Sequence, residues 1–271
     1  MASLLRLSGA LRTLRTPSSS KKLTSHFFSP SHTPRQLKLP SLRPYSSYSH
    51  NYDTYFRQVK ANNAVLYTLM GTNIAIFGYA MYLKQQAILG FHAPLIRFMQ
   101  RMTLNLTEFR NGDYLSLLTA TFTHVSIGHI FSNMFTVYFL GSFLTAAPVI
   151  TPLRLLTIAL GSGLSGSVGY LIQQQYRLSS QGLNARDTGR AMGFSGAVMG
   201  ISTVAACLAP RAQVAIWGII PMPLWALVAG YAVYDGYYLN SVDTRIAHAG
   251  HLGGLGFGLV YYLARLRGLR I

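Results

Sequence analysis

Six apolar runs dominate the chain between residues 64 and 265, and each is close to the length that a membrane crossing requires. A helix needs roughly 20 residues to cross the ~30 Å hydrocarbon core. Because lipid offers no hydrogen-bond partners to the backbone, runs of this kind can cross only as helices. The runs lie near 64–83, 123–145, 151–172, 193–209, 213–235 and 246–265. We therefore predict an all-α membrane protein, built as a six-transmembrane-helix bundle.

The longest connection between these runs joins the first run to the second. Residues 84–122 mix arginines with apolar clusters and are too long for a simple turn. We predict that they form a long amphipathic first loop in the membrane interface. Residues 46–63 are predicted to be a short amino-terminal tail, 173–192 a polar loop, and 266–271 a basic carboxy-terminal tail. The six-helix domain itself is predicted to span 64–265.

The amino-terminal segment has the composition of a targeting sequence. Residues 1–45 contain no acidic residue and eight of the 23 lysines and arginines. Leucines and arginines fall on opposite helical faces at its start, which is typical of an organellar transit peptide. Arg43 stands two residues before Tyr45, as in mitochondrial processing sites, so we expect cleavage after Tyr45. The prediction is a disordered mitochondrial transit peptide over 1–45 and residence in the mitochondrial inner membrane. An uncut basic tail and a chloroplast membrane are the alternatives.

Composition excludes several classes of protein. The formal net charge is +17, but the basic residues outside the leader are scattered over short loops. No basic face interleaved with aromatic residues is visible, so we expect no nucleic-acid partner. A single cysteine, Cys207, excludes an intrachain disulfide framework and a Cys-rich zinc site. Among six acidic residues only Asp235 lies at the edge of a run, and we expect neither a metal nor a cofactor.

Three polar clusters interrupt the apolar runs, each near the beginning of its run. His129 and Asn133 lie four residues apart in the second run, which puts them on one face of a helix. Ser195 opens the fourth run within Gly-Phe-Ser-Gly, and His248 and His251 open the sixth among glycines. Ionisable residues inside a membrane helix are costly, so these positions indicate function.

Topology predicts that these clusters meet. The second, fourth and sixth runs cross the membrane in the same direction, so their beginnings face one compartment. Ser195 and His251 differ in depth by only ~5 Å at the rise of a helix. A serine, a histidine and two side-chain donors at one depth are the parts of an acyl-transfer site. The fourth and sixth helices should also touch closely, because each carries glycines four residues apart. These glycines are Gly196 and Gly200, and Gly254 and Gly258.

The order His-x4-His-x3-Asn, Gly-x-Ser-Gly and Gly-His-x2-Gly-x3-Gly resembles the rhomboid family of intramembrane serine proteases, over roughly 64–265. Gly-Phe-Ser-Gly-Ala-Val-Met and His-Ala-Gly-His-Leu-Gly-Gly look most similar to its mitochondrial, presenilin-associated rhomboid-like branch. The resemblance implies a rhomboid-like six-helix bundle in which Ser195 is the nucleophile and His251 the general base. It also implies that His129, Asn133 and the Ser195 backbone N–H stabilise the oxyanion.

The implied activity is a serine endopeptidase that cleaves single-pass membrane proteins in or near their transmembrane segment, within the lipid bilayer. We predict a Ser–His dyad rather than a triad. Asp235 and Asp243 fall outside the sixth helix, and neither is expected to orient His251. The sequence does not indicate an oligomeric state.

Structural interpretations stand beside the catalytic ones. Asn133 could bond to a neighbouring helix, His248 could be a rim residue, and His124 could be a structural contact at the membrane edge. For the whole chain, the alternatives are an inactive rhomboid-like protein that binds membrane proteins, and a small transporter. An inactive relative typically loses the serine or the histidine, whereas this chain keeps both. Transporter sites usually lie near the midplane, whereas these clusters lie near one face.

Overall fold

The computed structural model describes residues 46–181, 186–216, 219–241, 244 and 246–269, so the predicted transit peptide lies outside the described residues. In that part of the chain the helices and strands follow one another in this order: α1 (Ser46–Ile88), α2 (His92–Met102), α3 (Leu106–Arg110), α4 (Ser116–Thr119), a 3₁₀ turn (Ala120–Phe122), α5 (Ile127–Ala146), α6 (Pro152–Gln181), α7 (Ser195–Leu208), β1 (Gln213–Ile216), β2 (Ile220–Pro223), α8 (Leu224–Tyr237), α9 (His248–Tyr261) and a π-helical turn (Tyr262–Leu266).

Each predicted run contains a helix, but the helices differ in length. Among the described residues, three helices are long and apolar enough to cross a membrane, namely α1 over Tyr52–Ile88, α5 and α6. Helices α7, α8 and α9 have 14 residues each, or about 21 Å. Twelve of the residues of α7 are buried, so this helix is enclosed by protein rather than by lipid.

The outer faces of the long helices carry large exposed apolar side chains. Phe131, Phe135 and Phe139 are four residues apart on one face of α5, and each is more than half exposed. Soluble proteins rarely expose continuous apolar stripes of this kind. The stripe is the surface expected of a helix that faces lipid.

The segment predicted as an amino-terminal tail, 46–63, is instead the first part of the continuous helix α1. Its polar side chains face the connection that follows α5. Gln58 and Asn62 donate to the carbonyl of Ile150 at 2.7 and 2.8 Å, and Asn62 also donates to that of Thr145 at 2.9 Å. Thr145 lies in the last turn of α5, where the carbonyls have no partner within the helix, so the polar part of α1 caps the end of α5. Hydropathy predicted only the apolar part of the helix because the capping part is polar.

The predicted long first loop has secondary structure of its own. It contains α2, α3, α4 and the 3₁₀ turn, and it is tied to the segment 186–191 that precedes α7. Glu108 forms an ion pair with Arg190. Leu104 and Ala191 exchange two backbone hydrogen bonds of 2.9 Å. These contacts fix the first loop against the segment of chain that leads into Ser195.

The fifth predicted run, 213–235, is helical only over its second half, so the prediction is wrong for its first half. Residues there form an antiparallel hairpin, in which Gln213 pairs with Pro223, and α8 begins only at Leu224. Pro221 and Pro223 lack the N–H that a helix interior requires, so the helix cannot start before them. The all-α prediction therefore fails at this hairpin within the described chain.

Helix α6 is longer than the predicted run and takes nine residues from the predicted polar loop. Gln173 and Arg177 lie on this extension, and both donate to the carbonyl of Leu239, just after α8. The extension ties the end of α6 to the end of α8. Its polar side chains hid it from the hydropathy pattern.

Glycines bring α6, α7 and α9 into backbone contact. A β-carbon added to Gly254 would lie 2.9 Å from the Cα of Gly196, and one added to Gly258 would lie 2.9 Å from the Cα of Gly200. A β-carbon on Gly166 of α6 would lie 2.7 Å from a carbonyl oxygen of α9. Such distances leave no room for any side chain. The predicted close contact of α7 and α9 is confirmed.

Candidate active site

Ser195 is the first residue of α7, and the two residues before it are held by contacts with the 3₁₀ turn. Gly193 has a φ of +124°, which favours glycine, and its N–H donates to the carbonyl of Ala120 at 2.9 Å. Phe194 is fully buried and packs on Phe122 with ring centroids 5.7 Å apart. The first N–H groups of a helix have no partner within it. The Ser195 N–H therefore lies at the positive end of the α7 dipole.

His251 lies in the first turn of α9, with 16% of its side chain exposed. Its Nδ1 is 3.0 and 3.1 Å from the two carboxylate oxygens of Asp235 on α8. An ionised carboxylate only accepts hydrogen bonds, so the ring proton belongs on Nδ1. Nε2 then keeps its lone pair. A histidine in this tautomer can take a proton at Nε2.

This contact corrects the prediction that Asp235 is not placed to orient His251. The prediction followed the chain, in which the two residues are 16 positions apart on different runs. In the fold, the last turn of α8 lies beside the first turn of α9, which brings the carboxylate to the imidazole. The missed signal was Asp235 itself, the lone acid at the edge of an apolar run. Asp243 lies outside the described residues.

His248, the neighbouring histidine of α9, is fully buried and uses both ring nitrogens. Its Nδ1 is 2.7 Å from Oδ1 of Asp235, and its Nε2 is 2.9 Å from the hydroxyl of Thr244. A base needs a free ring nitrogen near its proton donor. The geometry of His248 therefore suits a supporting residue rather than a base.

The two predicted oxyanion side chains lie beside the loop before α7. The His129 ring rests on Gly193, since a β-carbon there would lie 2.8 Å from Nε2 of that ring. Asn133, one turn further along α5, is buried, and its amide nitrogen is 2.8 Å from Nε2 of His124. The same Nε2 accepts the backbone N–H of Phe194 at 3.2 Å. His124 thus connects Asn133 to the loop.

His124 has a larger part in this site than the sequence indicated. It is fully buried, and its ring lies edge-on to that of His129 with centroids 4.8 Å apart. It therefore supports both predicted oxyanion residues and the loop that carries the serine. Its position in the His-x4-His-x3-Asn order was the available signal.

A small cavity adjoins Ser195 where α7 meets α6 and α9. Its volume is about 40 Å³, and its lining includes Ser195, Gly196 and Gly250. This space has room for about two water molecules. Within the described part of the chain, the Ser195 hydroxyl has no hydrogen-bond partner, His251 included. Catalytic hydrogen bonds are often long before substrate binds, so the open arrangement is compatible with a resting site.

No set of three His, Cys, Asp or Glu side chains in the described ranges is arranged to hold a metal ion. Asp235, His248 and His251 do come together, but they bond to one another through their Nδ1 and carboxylate atoms. The expectations of no metal and no cofactor stay predictions.

Comparison with known proteins places this site in a family. A rhomboid domain matches residues 111–268, more than half of the chain. The chain is 34% identical to RHOMBOID-like protein 12, mitochondrial, of Arabidopsis thaliana over 175 residues, which are 62% of this chain and 51% of that protein. It is 26% identical to Rhomboid protein 1, mitochondrial, of Saccharomyces cerevisiae over 219 residues, 77% of this chain and 54% of that protein. The chain thus spans about half the length of these relatives. With its serine and histidine motifs on touching helices inside the matched domain, the chain belongs to the rhomboid family, as its motifs predicted.

Proposed function

We propose that this chain is an intramembrane serine endopeptidase with Ser195 as nucleophile and His251 as general base. One observation carries the proposal. Helix α9, which carries His251 in its first turn, touches the start of α7, where Ser195 is the first residue, through the backbones of glycines. Membership of the rhomboid family supports the same reaction class.

The proposed reaction begins with acylation of the serine. Nε2 of His251 takes the Ser195 hydroxyl proton as Oγ attacks the carbonyl carbon of the scissile peptide. The new C–O bond pushes the carbonyl π electrons onto oxygen, which becomes the oxyanion. His251 then gives its proton to the leaving nitrogen as the C–N bond breaks. In deacylation, His251 takes a proton from water as the water oxygen attacks the acyl carbonyl carbon, and it returns that proton to Ser195 Oγ as the ester bond breaks. The cavity beside Ser195 has room for this water.

Three donors are proposed to stabilise the oxyanion. They are the backbone N–H of Ser195 and the side chains of His129 and Asn133. The positions of the two side chains support this proposal. The His129 ring lies against Gly193, and Asn133 is linked through His124 to Phe194, the residue before the serine. A donor aimed at developing charge lowers the barrier by up to about 3–4 kcal/mol.

The proposed substrates are single-pass membrane proteins, cleaved in or near the transmembrane segment. Ser195 and His251 both lie at the beginnings of their helices, so a substrate helix would have to unwind near one membrane face to reach them. We propose six crossings, formed by the three long helices together with α7, α8 and α9. Helix α9 continues through the π turn to Leu266, and 19 residues reach about 28 Å.

The proposed location is the mitochondrial inner membrane, as a multi-pass protein. Both relatives carry a mitochondrial name, and the acid-free first 45 residues fit a mitochondrial leader. Sequencing of the mature amino terminus from purified mitochondria tests this, with Ser46 expected. An intact Met1, or recovery in chloroplasts, would overturn it.

The proposed activity is tested with the full chain in liposomes, incubated with a panel of single-pass mitochondrial membrane proteins. Mass spectrometry of the products gives cleavage sites and rates. Ser195→Ala and His251→Ala should each abolish cleavage, and the double variant should be no worse, because the two residues act as a unit. Turnover by Ser195→Ala would refute the serine mechanism. Binding without cleavage by the unaltered protein would instead favour an inactive rhomboid-like binding protein.

A further inference from the structure

We infer that Asp235 is a positioning residue for His251, held in place by His248, so that the working unit is Ser–His–Asp rather than Ser–His. The inference rests on the proposed function, because it assigns Asp235 a role relative to His251 as the base. The three side chains come from α7, α9 and α8. No two of them are close in sequence.

The contact geometry is that of a carboxylate shared by two imidazoles. Asp235 is only 2% exposed. Its Oδ1 accepts from Nδ1 of His248 at 2.7 Å, and its two oxygens lie 3.0 and 3.1 Å from Nδ1 of His251. The histidines are three positions apart, which places them on one face of α9. Both rings therefore reach the same carboxylate from one side.

The protons of this cluster can be assigned from its chemistry. The ionised carboxylate is an acceptor only, so both histidines donate from Nδ1. Nε2 of His248 then accepts a hydrogen bond from the hydroxyl of Thr244, at 2.9 Å. Nε2 of His251 is left with a lone pair. The opposite tautomer of His251 would aim its lone pair at the carboxylate and leave no base for Ser195.

Asp235 also acts after the first proton transfer. When His251 has taken the Ser195 proton, its ring is an imidazolium 3.0 Å from a buried carboxylate. Opposite charges attract more strongly in such surroundings than in water. In this scheme no proton moves to Asp235.

A purely structural role explains this arrangement less well. Leu224 and Asp235 are the buried residues of α8, and most of its other side chains are exposed or half-buried. Joining α8 to α9 would need only apolar packing, and replacing buried ion pairs by apolar residues is often stabilising. A carboxylate kept between two histidines costs desolvation that packing alone does not require.

The test compares Asp235→Asn with the matched variant Asp187→Asn. Asparagine keeps the size of the side chain but presents an amide that can donate to Nδ1 and hold the wrong tautomer. We expect kcat to fall at least ~10²-fold with KM nearly unchanged, since the equivalent change in a soluble serine protease costs about 10⁴-fold. Asp187 accepts two hydrogen bonds in the loop before α7, from Thr107 and Gln174. The same substitution there should leave kcat within about twofold.

Conservative variants separate positioning from packing. Asp235→Glu keeps the carboxylate but adds a methylene, so it should lower the melting temperature more than Asp235→Asn does. It should nevertheless turn over faster than Asp235→Asn. His248→Asn keeps a donor near the position of Nδ1 and should lose less activity than His248→Leu. If Asp235 had only a structural role, the loss of activity would parallel the fall in melting temperature in all four of these Asp235 and His248 variants.

The possible outcomes distinguish this inference from the proposed function. Inactive Ser195→Ala and His251→Ala with unchanged kcat in Asp235→Asn would overturn the inference and leave the protease proposal standing. Equal loss of activity and stability across the Asp235 variants would also overturn it. Turnover by Ser195→Ala would remove the protease proposal itself. A selective fall in kcat, with Asp235→Glu more active than Asp235→Asn, would support the inference.

Discussion

The ring of His129 lies directly against the backbone of Gly193, two residues before Ser195. A β-carbon on that glycine would lie 2.8 Å from Nε2 of the ring, inside the range that real contacts avoid. Gly193 also has a φ of +124°, where any other residue is strained. The glycine therefore sets both the path of the chain into α7 and the position of a proposed oxyanion donor.

Gly193→Ala should lower kcat at least ~10²-fold, because the new methyl group displaces either the His129 ring or the loop that presents Ser195. Backbone strain adds a loss of stability of about 1–3 kcal/mol. Cleavage kinetics and thermal unfolding of the same preparation measure both effects.

Gly112→Ala is the matched control for Gly193→Ala. Gly112 has a φ of +104°, and a β-carbon there would meet nothing within 4 Å. It should share the loss of stability and keep kcat near that of the unaltered protein. Equal kcat in the two variants would show that the contact with His129 is not needed for turnover.

Gly254→Ala should disrupt the bundle, whereas Gly256→Ala on the same helix should be tolerated. A β-carbon on Gly254 would lie 2.7 Å from the backbone carbonyl carbon of Gly196, and backbone atoms cannot rotate away. A β-carbon on Gly256 would meet nothing within 4 Å. We expect Gly254→Ala to cost about 3 kcal/mol or more and to abolish cleavage. Equal melting temperatures for the two variants would contradict the backbone contact of α7 and α9.

The sequence predicted the contact of α7 with α9 because small residues four positions apart in a membrane helix let the backbone of a second helix approach closely. It also placed Ser195 at the start of a helix and His129 close to it. Each of these two positions follows from a pattern within one short segment of sequence. The periodicity of apolar residues and the placement of polar ones can be read without knowing how separate helices pack.

The sequence could not predict contacts that depend on how separate helices pack. Asp235 meets His251 only because the end of α8 lies beside the start of α9. The polar beginning of α1 and the polar end of α6 carry no apolar signal, and their partners are carbonyl groups elsewhere in the chain. The hairpin before α8 was hidden in an apolar stretch that suits a strand as well as a helix.

Asn133→Ala and His129→Ala should each lower kcat by about 10²–10³-fold with little change in KM, if these side chains stabilise charge that exists only in the transition state. An interhelical hydrogen bond in a membrane protein contributes only about 0.6 kcal/mol on average. Structural roles alone would therefore leave turnover nearly intact. Rates and melting temperatures measured together separate the two roles.

His124→Ala distinguishes support from direct participation. His124 accepts from Asn133 and from the N–H of Phe194, so its loss should lower the melting temperature as well as kcat. Asn133→Ala should affect mainly kcat. Normal kcat in Asn133→Ala with a lowered melting temperature would reduce Asn133 to a packing residue.

The ion pair of Glu108 with Arg190 should stabilise the first loop as one unit. Arg190 also donates to the hydroxyl of Thr103 at 3.1 Å and to the carbonyl of Met99 at 3.3 Å, so its guanidinium is held by three groups. Both charged side chains are 28% exposed, which limits their coupling to about 1 kcal/mol.

A double-mutant cycle with Glu108→Gln and Arg190→Gln measures that coupling by thermal unfolding. The double variant should be less destabilised than the sum of the single variants. Arg190→Lys should recover little, because an ammonium group cannot reproduce the paired contacts of a guanidinium group. Arg186→Gln, at an exposed position of the same segment, is the control and should unfold normally. Strict additivity in the cycle would mean that the pair does not tie the first loop to the segment before α7.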